Sequence, residues 1–188
     1  MTPMLNLKKI NKDWTLFLDR DGVINYEKPG GYICNWSEFI FYEGAREAIA
    51  GFAELFGKII ITTNQRGIGK GLMTVEDLND MHTKMVREIE KTGGRIDHIY
   101  FCTALDDQDP CRKPNPGMAL QAQQDFPQID FSRSIMVGNT LSDMQFGRNT
   151  GMHSIFLATT HPDTPSPHPL IDLRYNNLRH LAKALGKS

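Results

Sequence analysis

The sequence predicts an α/β fold built on a doubly wound, parallel sheet. Three observations carry that prediction. Short apolar runs alternate along the chain with segments of helical hydrophobic spacing, the pattern of strand–helix–strand crossovers. The strand-like runs are apolar throughout, as strands covered on both faces are. Most of them end in polar or charged residues, which puts chemistry at the carboxyl edge where open α/β sheets hold their ligands.

Length and composition set the frame. The 188 residues, 40% of them hydrophobic, suffice for one sizeable core, so a single domain over 1–188 is expected, with its core at about 14–157 and a tail at 159–188. Lysine and arginine (21) balance aspartate and glutamate (22), which leaves no global field to recruit nucleic acid or an anionic membrane. No apolar run reaches the roughly 20 residues of a membrane span, and positions 1–12 lack the apolar stretch of a secretory leader. A cytoplasmic monomer is expected. Cys34, Cys102 and Cys111 are an odd and sparse set, which argues against a disulfide framework.

The first strand is read from Trp14, Leu16, Phe17 and Leu18, and it stops at Asp19-Arg20-Asp21-Gly22. Residues i and i+2 of an extended chain share a face, so Asp19 and Asp21 can enter one crevice while Gly22 lets the backbone turn away. Two close carboxylates repel unless a cation joins them or one keeps a proton. Both remedies are useful: Mg²⁺ takes oxygen ligands and brings phosphates, and a protonated carboxyl is a general acid. The plain alternative is a solvated capping turn.

Residues 25–36, rich in glycine, proline and aromatics, read as a loop that walls the carboxylates, with Gly31 and Tyr32 in it. Ala45, Ala48, Ile49, Phe52 and Phe56 mark a helix over about 43–56 that Gly57 closes. The β-branched run 58–64 is a second buried strand ending in Thr63-Asn64. A glycine-rich connection, 65–71, holds Gln65 and Arg66 and leads to Thr74 and Asp77 as a reciprocal cap. Leu78, Met81, His82, Met85 and Ile89 then share a helical face, on which His82 is read as a packed core-edge histidine.

Residues 97–101 are the third strand, followed by an irregular acidic loop over 102–110. Arg112-Lys113 lie in the turn entering a helix with Asn115 as N-cap, Pro116 at its first position, and Met118, Ala119, Ala122 and Phe126 inside. Residues 135–137 are the fourth strand, with Gly138-Asn139-Thr140-Leu141-Ser142-Asp143 at its end; a short helix closes on Gly151, and 154–157 are the fifth strand. The proline-rich stretch 159–169 reads as extended surface chain before a last helix near 178–185.

Strand ends thus deliver Asp19/Asp21, Thr63/Asn64, Arg112/Lys113 and Asn139/Asp143 to one edge, Arg112/Lys113 through a longer loop. An acid pair, a hydroxyl with an amide, a cation and a further acid are what phosphoryl transfer needs. A nucleotide-binding role is disfavoured, since no Gly-x-Gly-x-x-Gly or Walker loop follows the first strand.

On these four motifs, running from about Trp14 to Leu157, the chain resembles the phosphatases of the haloacid dehalogenase (HAD) superfamily. The stretches Phe-Leu-Asp-Arg-Asp-Gly-Val-Ile-Asn, Thr-Asn-Gln-Arg-Gly-Ile-Gly and Cys-Arg-Lys-Pro-Asn-Pro-Gly-Met are similar to the branch that contains heptose-bisphosphate and histidinol-phosphate phosphatases. The resemblance implies Asp19 as a nucleophile passing through an aspartyl phosphate and Asp21 as acid and base. Thr63, Asn64 and Lys113 would hold phosphoryl oxygens, and Mg²⁺ would sit among Asp19, Asp21, Asn139 and Asp143. The substrate, a small phosphorylated metabolite, would lie along Gly31, Tyr32, Gln65, Arg66 and Arg112.

Two departures stand out. The family usually has an aspartate where this chain has Asn139, which raises the alternative of a catalytically weak, binding-only member. Many members of the branch also fix the third-motif loop with zinc; of four ligand positions only Cys102 and Cys111 keep a thiol and Asp109 offers a third group at best, so two free thiols and no zinc are expected. Thr63 follows Asp19 by 44 positions and Arg112 follows Asn64 by 48, and both spans are already filled by predicted elements. No separate cap domain is therefore expected.

Overall fold

The computed structural model describes residues 5–187, so Met1–Met4 of the amino-terminal stretch and Ser188 lie outside the described residues. Six parallel strands form one sheet: β1 (Thr15–Leu18), β2 (Lys58–Asn64), β3 (His98–Cys102), β4 (Ser134–Gly138), β5 (His153–Leu157) and β6 (Leu173–Tyr175), in the order β3-β2-β1-β4-β5-β6. The helices are α1 (Ala45–Leu55), α2 (Arg66–Gly69), α3 (Val75–Glu90), α4 (Gly117–Asp125), α5 (Leu141–Thr150) and α6 (Leu178–Ala184).

The period of two sorts the strands between two cores. Leu16, Leu18, Ile59, Ile61, Ile135 and Val137 pack with the apolar faces of α1, α3 and α6, while Phe17, Ile60 and Met136 pack with Met118, Ala119 and Ala122 of α4 and Phe146 of α5. β1 lies between β2 and β4 with all four residues buried. The first-motif carboxylates therefore leave one of the two central strands of the sheet. Among the described residues no helix is long and apolar enough to cross a membrane.

Three elements differ from the sequence reading. The helix expected to start at Asn115–Pro116 starts at Gly117 with Pro116 as N-cap, because the Asn115 side-chain amide instead donates to the Asp107 and Asp109 carbonyls. The connection after β2 contains the short helix α2. The carboxyl-terminal tail is not only extended surface chain, since it adds β6 to the sheet.

Asp172 explains β6. Its backbone N–H donates to the Ser154 carbonyl, and its carboxylate accepts from Ser154 N (2.8 Å) and Arg148 Nη2 (2.6 Å). Burial works against the charge, but His153, Arg148 and the Ser154 amide outweigh it and hold the carboxyl down at about 2. A carboxyl depressed on folding stabilises the protein above its ordinary 3.8, and that contribution fades as pH falls toward 2. Asp172→Ala should therefore cost about 2 kcal/mol at pH 7, with the gap to the parent closing in denaturant melts taken toward pH 2.

Candidate active site

The site begins where β1 ends. The Asp19 amide is still bonded to the Val137 carbonyl (3.0 Å), after which the Val23, Ile24 and Asn25 amides converge on the Arg20 carbonyl at 3.2, 2.8 and 3.3 Å. Gly22 makes this turn possible: its φ is +81°, and a Cβ there would stand 2.0 Å from Asn139 Nδ2. Asp19, Asp21, Thr63, Asn64, Arg112, Lys113, Asn139 and Asp143 consequently line one cavity of about 290 Å³, with Glu27, Thr140 and Ser142. All four predicted motifs meet there.

Lys113 organises the interior. Its Nζ is 3.0 Å from Asp19 Oδ1 and 2.6 Å from Asp143 Oδ1, and donates to the Thr62 carbonyl at 2.8 Å. Burial disfavours the ammonium, yet the two carboxylates prevail and keep its pKa above the ordinary lysine value. Burial also pushes Asp19 up to about 7, opposed by Lys113 and reinforced by the nearby Asp143 and Asp21 charges. A buried carboxylate short of compensating charge is a place for a cation.

Asn64 sets the lysine's backbone. Its Oδ1 accepts from Lys113 N (3.0 Å) and its Nδ2 donates to Lys113 O (3.2 Å), joining the end of β2 to the third motif. Asp143 is committed as well: Oδ1 faces Lys113, while Oδ2 accepts from Thr140 N (3.1 Å) and Oγ1 (2.7 Å) in the capping box of α5. Both oxygens expected to serve a metal thus have protein partners.

Asn139 does fit a cation. It is fully buried, its Nδ2 donates to Thr160 Oγ1 at 2.7 Å, and its Oδ1 has no hydrogen-bond partner. A buried carbonyl oxygen left without a donor costs free energy unless something electropositive meets it. With Asp19 in the same cavity lining, that donor set is all oxygen, which suits Mg²⁺.

Asp21 faces the cavity from the other side with its carboxylate saturated. Arg20 Nε and Nη2 and Asn25 Nδ2 reach Oδ1 at 3.2, 2.9 and 2.8 Å; Arg20 Nη2 and Gln65 Nε2 reach Oδ2 at 3.0 and 3.0 Å. Burial alone would raise this carboxyl, but the Arg20 guanidinium and the hydrogen bonds from Asn25, Arg20 and Gln65 hold it below the ordinary value.

The expected substrate residues divide. Gly31, Tyr32 and Gln65 border an adjoining hollow of about 470 Å³ shared with Asp21, Asn64 and Lys70. Gln65, however, is buried and spends its amide on Asp21 and on Thr63 Oγ1 (2.9 Å), so it positions both groups. Arg66 borders neither hollow: its Nη2 crosses to the Leu105 carbonyl (2.6 Å) and Asp107 (3.3 Å). Arg112 does line the cavity, and its Nε meets the same Asp107 at 2.8 Å.

The cysteine expectation is corrected. Cys102 and Cys111 form a disulfide across Cα atoms 5.6 Å apart, a separation ordinary for that bond. Cys102, Asp109 and Cys111 do cluster as their spacing suggested, but the thiols are joined to one another. Only Cys34 remains a free thiol.

Sequence reasoning missed Arg20, Asn25 and Thr160. An arginine between two aspartates reads as a solvated turn residue, yet Arg20 has no exposed surface. The signal available was charge: two buried acids need a cation. Thr160 had none, being one hydroxyl in a proline-rich tail.

Comparisons with known proteins agree with this geometry. A family model described as HAD-hydrolase-like matches residues 110–169. A D-glycero-alpha-D-manno-heptose-1,7-bisphosphate 7-phosphatase of Mycobacterium bovis is 32% identical over 95% of this chain and 95% of its own. A D-glycero-beta-D-manno-heptose-1,7-bisphosphate 7-phosphatase of Helicobacter pylori is 35% identical over 92% and 97%. The crystal structure of D,D-heptose 1,7-bisphosphate phosphatase from B. bronchiseptica, complexed with magnesium and phosphate, superposes with a TM-score of 0.82 at 28% identity, covering 92% of this chain and 97% of that one.

Proposed function

The chain belongs to the haloacid dehalogenase-like hydrolases and is a phosphatase, and from that premise we propose that it cleaves a phosphomonoester of a heptose 1,7-bisphosphate by way of an aspartyl phosphate on Asp19. The observation that carries this reading is the pairing of Asp19 with Lys113 beside the partnerless oxygen of Asn139 in one cavity. Relatives named for both anomers of that sugar support the substrate.

In the first step an Asp19 oxygen attacks phosphorus, the bond from phosphorus to the leaving oxygen breaks, and Asp21, whose carboxyl the arriving phosphate's negative charge raises against the donors that lower it in the free site, gives that oxygen a proton. In the second, water attacks the aspartyl phosphate, Asp21 takes the water's proton, and Asp19 and inorganic phosphate are released. Lys113 neutralises the charge that gathers on the phosphoryl oxygens, with the Thr63 hydroxyl beside it. Mg²⁺, held by Asp19 and Asn139 Oδ1, would supply a further positive charge against which the phosphate is oriented. Arg112 would take the second phosphate, giving up Asp107 to do so. One domain without a separate cap, acting in the cytoplasm as a monomer, completes the reading.

Purified protein with Mg²⁺ should release phosphate from either heptose bisphosphate anomer in preference to histidinol phosphate, nucleotides and p-nitrophenyl phosphate. No release from any of these would end the proposal, and preferred release from histidinol phosphate would replace the substrate. The binding-only alternative is disfavoured because Asn139 offers an oxygen where an aspartate would offer one. Asn139→Asp should lower the Mg²⁺ concentration for half-maximal activity severalfold, since an anion replaces a neutral oxygen. Thr160→Val should raise it about tenfold and weaken Mg²⁺ binding measured by calorimetry, because the amide loses the acceptor that aims Oδ1. An unchanged Mg²⁺ requirement in both would show that Asn139 does not face the metal.

A further inference from the structure

The buried cation behind the acid–base group raises a question that the catalytic steps leave open. Arg20 is the largest fully buried side chain described and makes three of the five hydrogen bonds to Asp21. Its remaining arm, Nη1, lies 3.1 Å from Nε2 of His82 on α3. His82 is itself buried, with its ring 6.3 Å from that of Phe101, and Phe39 stacks under the guanidinium at 5.9 Å. A buried arginine carries five N–H donors, and each one without an acceptor is costly, so the acceptor at Nη1 decides how the planar fork sits.

We propose that His82 is a positioning residue for phosphoryl transfer: by accepting from Arg20 Nη1 it fixes the guanidinium plane, and through that plane the orientation of the Asp21 carboxyl toward the leaving oxygen. The inference rests on Asp21 serving as the acid, as proposed above. Three features agree with it. Burial, with the neighbouring Arg20 charge, holds the His82 imidazole down at about 3, so its Nε2 stays an acceptor throughout the range in which the enzyme would work. The Asp21 side chain keeps 27% of its surface exposed while that of Arg20 keeps none, so the carboxyl alone meets substrate and the cation supports it from behind. His82 also belongs to a helix that contributes no residue to the cavity, which sets it apart from direct contact with the phosphate.

The test uses the dependence on leaving group. Nitrophenolate departs without protonation, whereas an alkoxide needs the Asp21 proton. Since kcat/KM reports only through the first phosphoryl transfer, a misaligned acid lowers it selectively for an alkyl phosphate. His82→Met should reduce kcat/KM for glycerol 3-phosphate about tenfold and for p-nitrophenyl phosphate less than about twofold, whereas His82→Gln, whose amide oxygen can accept from Arg20, should restore both. Equal losses on the two substrates, no selective loss, a gain on the alkyl phosphate, or failure of the glutamine variant to restore would each overturn the proposal. If His82→Met does not fold, Arg20→Lys carries the test, because an ammonium cannot span Asp21 and His82 together; it should show the same selectivity, and unselective behaviour would count against the proposal. Asp21→Asn run in parallel separates the two readings. It should be selective in the same sense by about 10²–10⁴-fold; if it is not, Asp21 is not the acid and the fault lies with the mechanism.

Discussion

Asp19→Asn is expected to lose phosphatase turnover by about 10⁴-fold or more while melting no earlier than the parent. The two halves of that expectation have one origin. Asp19 is the nucleophile of the proposed mechanism, and an amide oxygen does not form the acyl phosphate. The carboxylate is also an expensive group to keep. Burial has pushed it up to about 7, so the native protein holds the Asp19 proton more tightly than the unfolded chain does. A carboxyl raised on folding subtracts stability as pH climbs from its ordinary 3.8 through 7. Asp19, Asp143 and Lys113 together carry one net negative charge in a buried cluster; asparagine brings that to zero. In Mg²⁺-free buffer at pH 8 the variant should thus have a Tm at or above the parent's. Turnover near the parent's would sink the nucleophile assignment, and a clear drop in Tm would show that the carboxylate is structural.

Lys113→Ala should fail in both respects. It removes the cation between Asp19 and Asp143 and leaves two buried carboxylates facing each other, which costs about 3–5 kcal/mol where one partner of a buried pair is deleted. It also removes the donor proposed for the phosphoryl oxygens, worth a further ~10²–10³-fold in kcat. Mg²⁺ should recover part of the lost stability, because a divalent cation bound to the native state alone shifts the equilibrium toward it. Chemical denaturation with and without Mg²⁺ measures this directly. A variant as stable as the parent in metal-free buffer would mean that the two carboxylates find another partner.

How much of this was legible in the sequence depends on where each property originates. The five longer strands and most of the helices announce themselves by runs of buried side chains, and the capping pair Thr74/Asp77 was readable from spacing alone. Three of the four motifs could be placed at one edge because parallel topology makes their strands end together, while Arg112/Lys113 reach it through the loop after β3. β6 was not legible: its three residues are all half-buried, and what makes them a strand is the bonding of Asp172 to β5, a contact 18 residues away. Asn115 misled because its neighbours Pro116 and Gly117 look like a helix start, while its amide found better acceptors in the preceding loop. The disulfide was missed because composition argues about frameworks, whereas Cys102 and Cys111 are joined by proximity between a strand end and a returning loop. Arg20 was missed because a charge flanked by acids reads as a solvated turn residue, and the demand of two buried acids for a cation was not applied to the residue between them.

The two capping boxes give this molecule an internal calibrant. Thr74/Asp77 and Thr140/Asp143 are the same device at the starts of α3 and α5, but Asp77 is exposed and does nothing else among its bonds, whereas Asp143 also holds Lys113 beside Asp19. A single carboxylate there serves two masters, so any substitution at 143 confounds helix initiation with catalysis. The duplicate at 77 lets the cap be removed by subtraction: what remains of the 143 effect after removing the 77 effect belongs to the buried pair with Lys113 and whatever chemistry that pair supports.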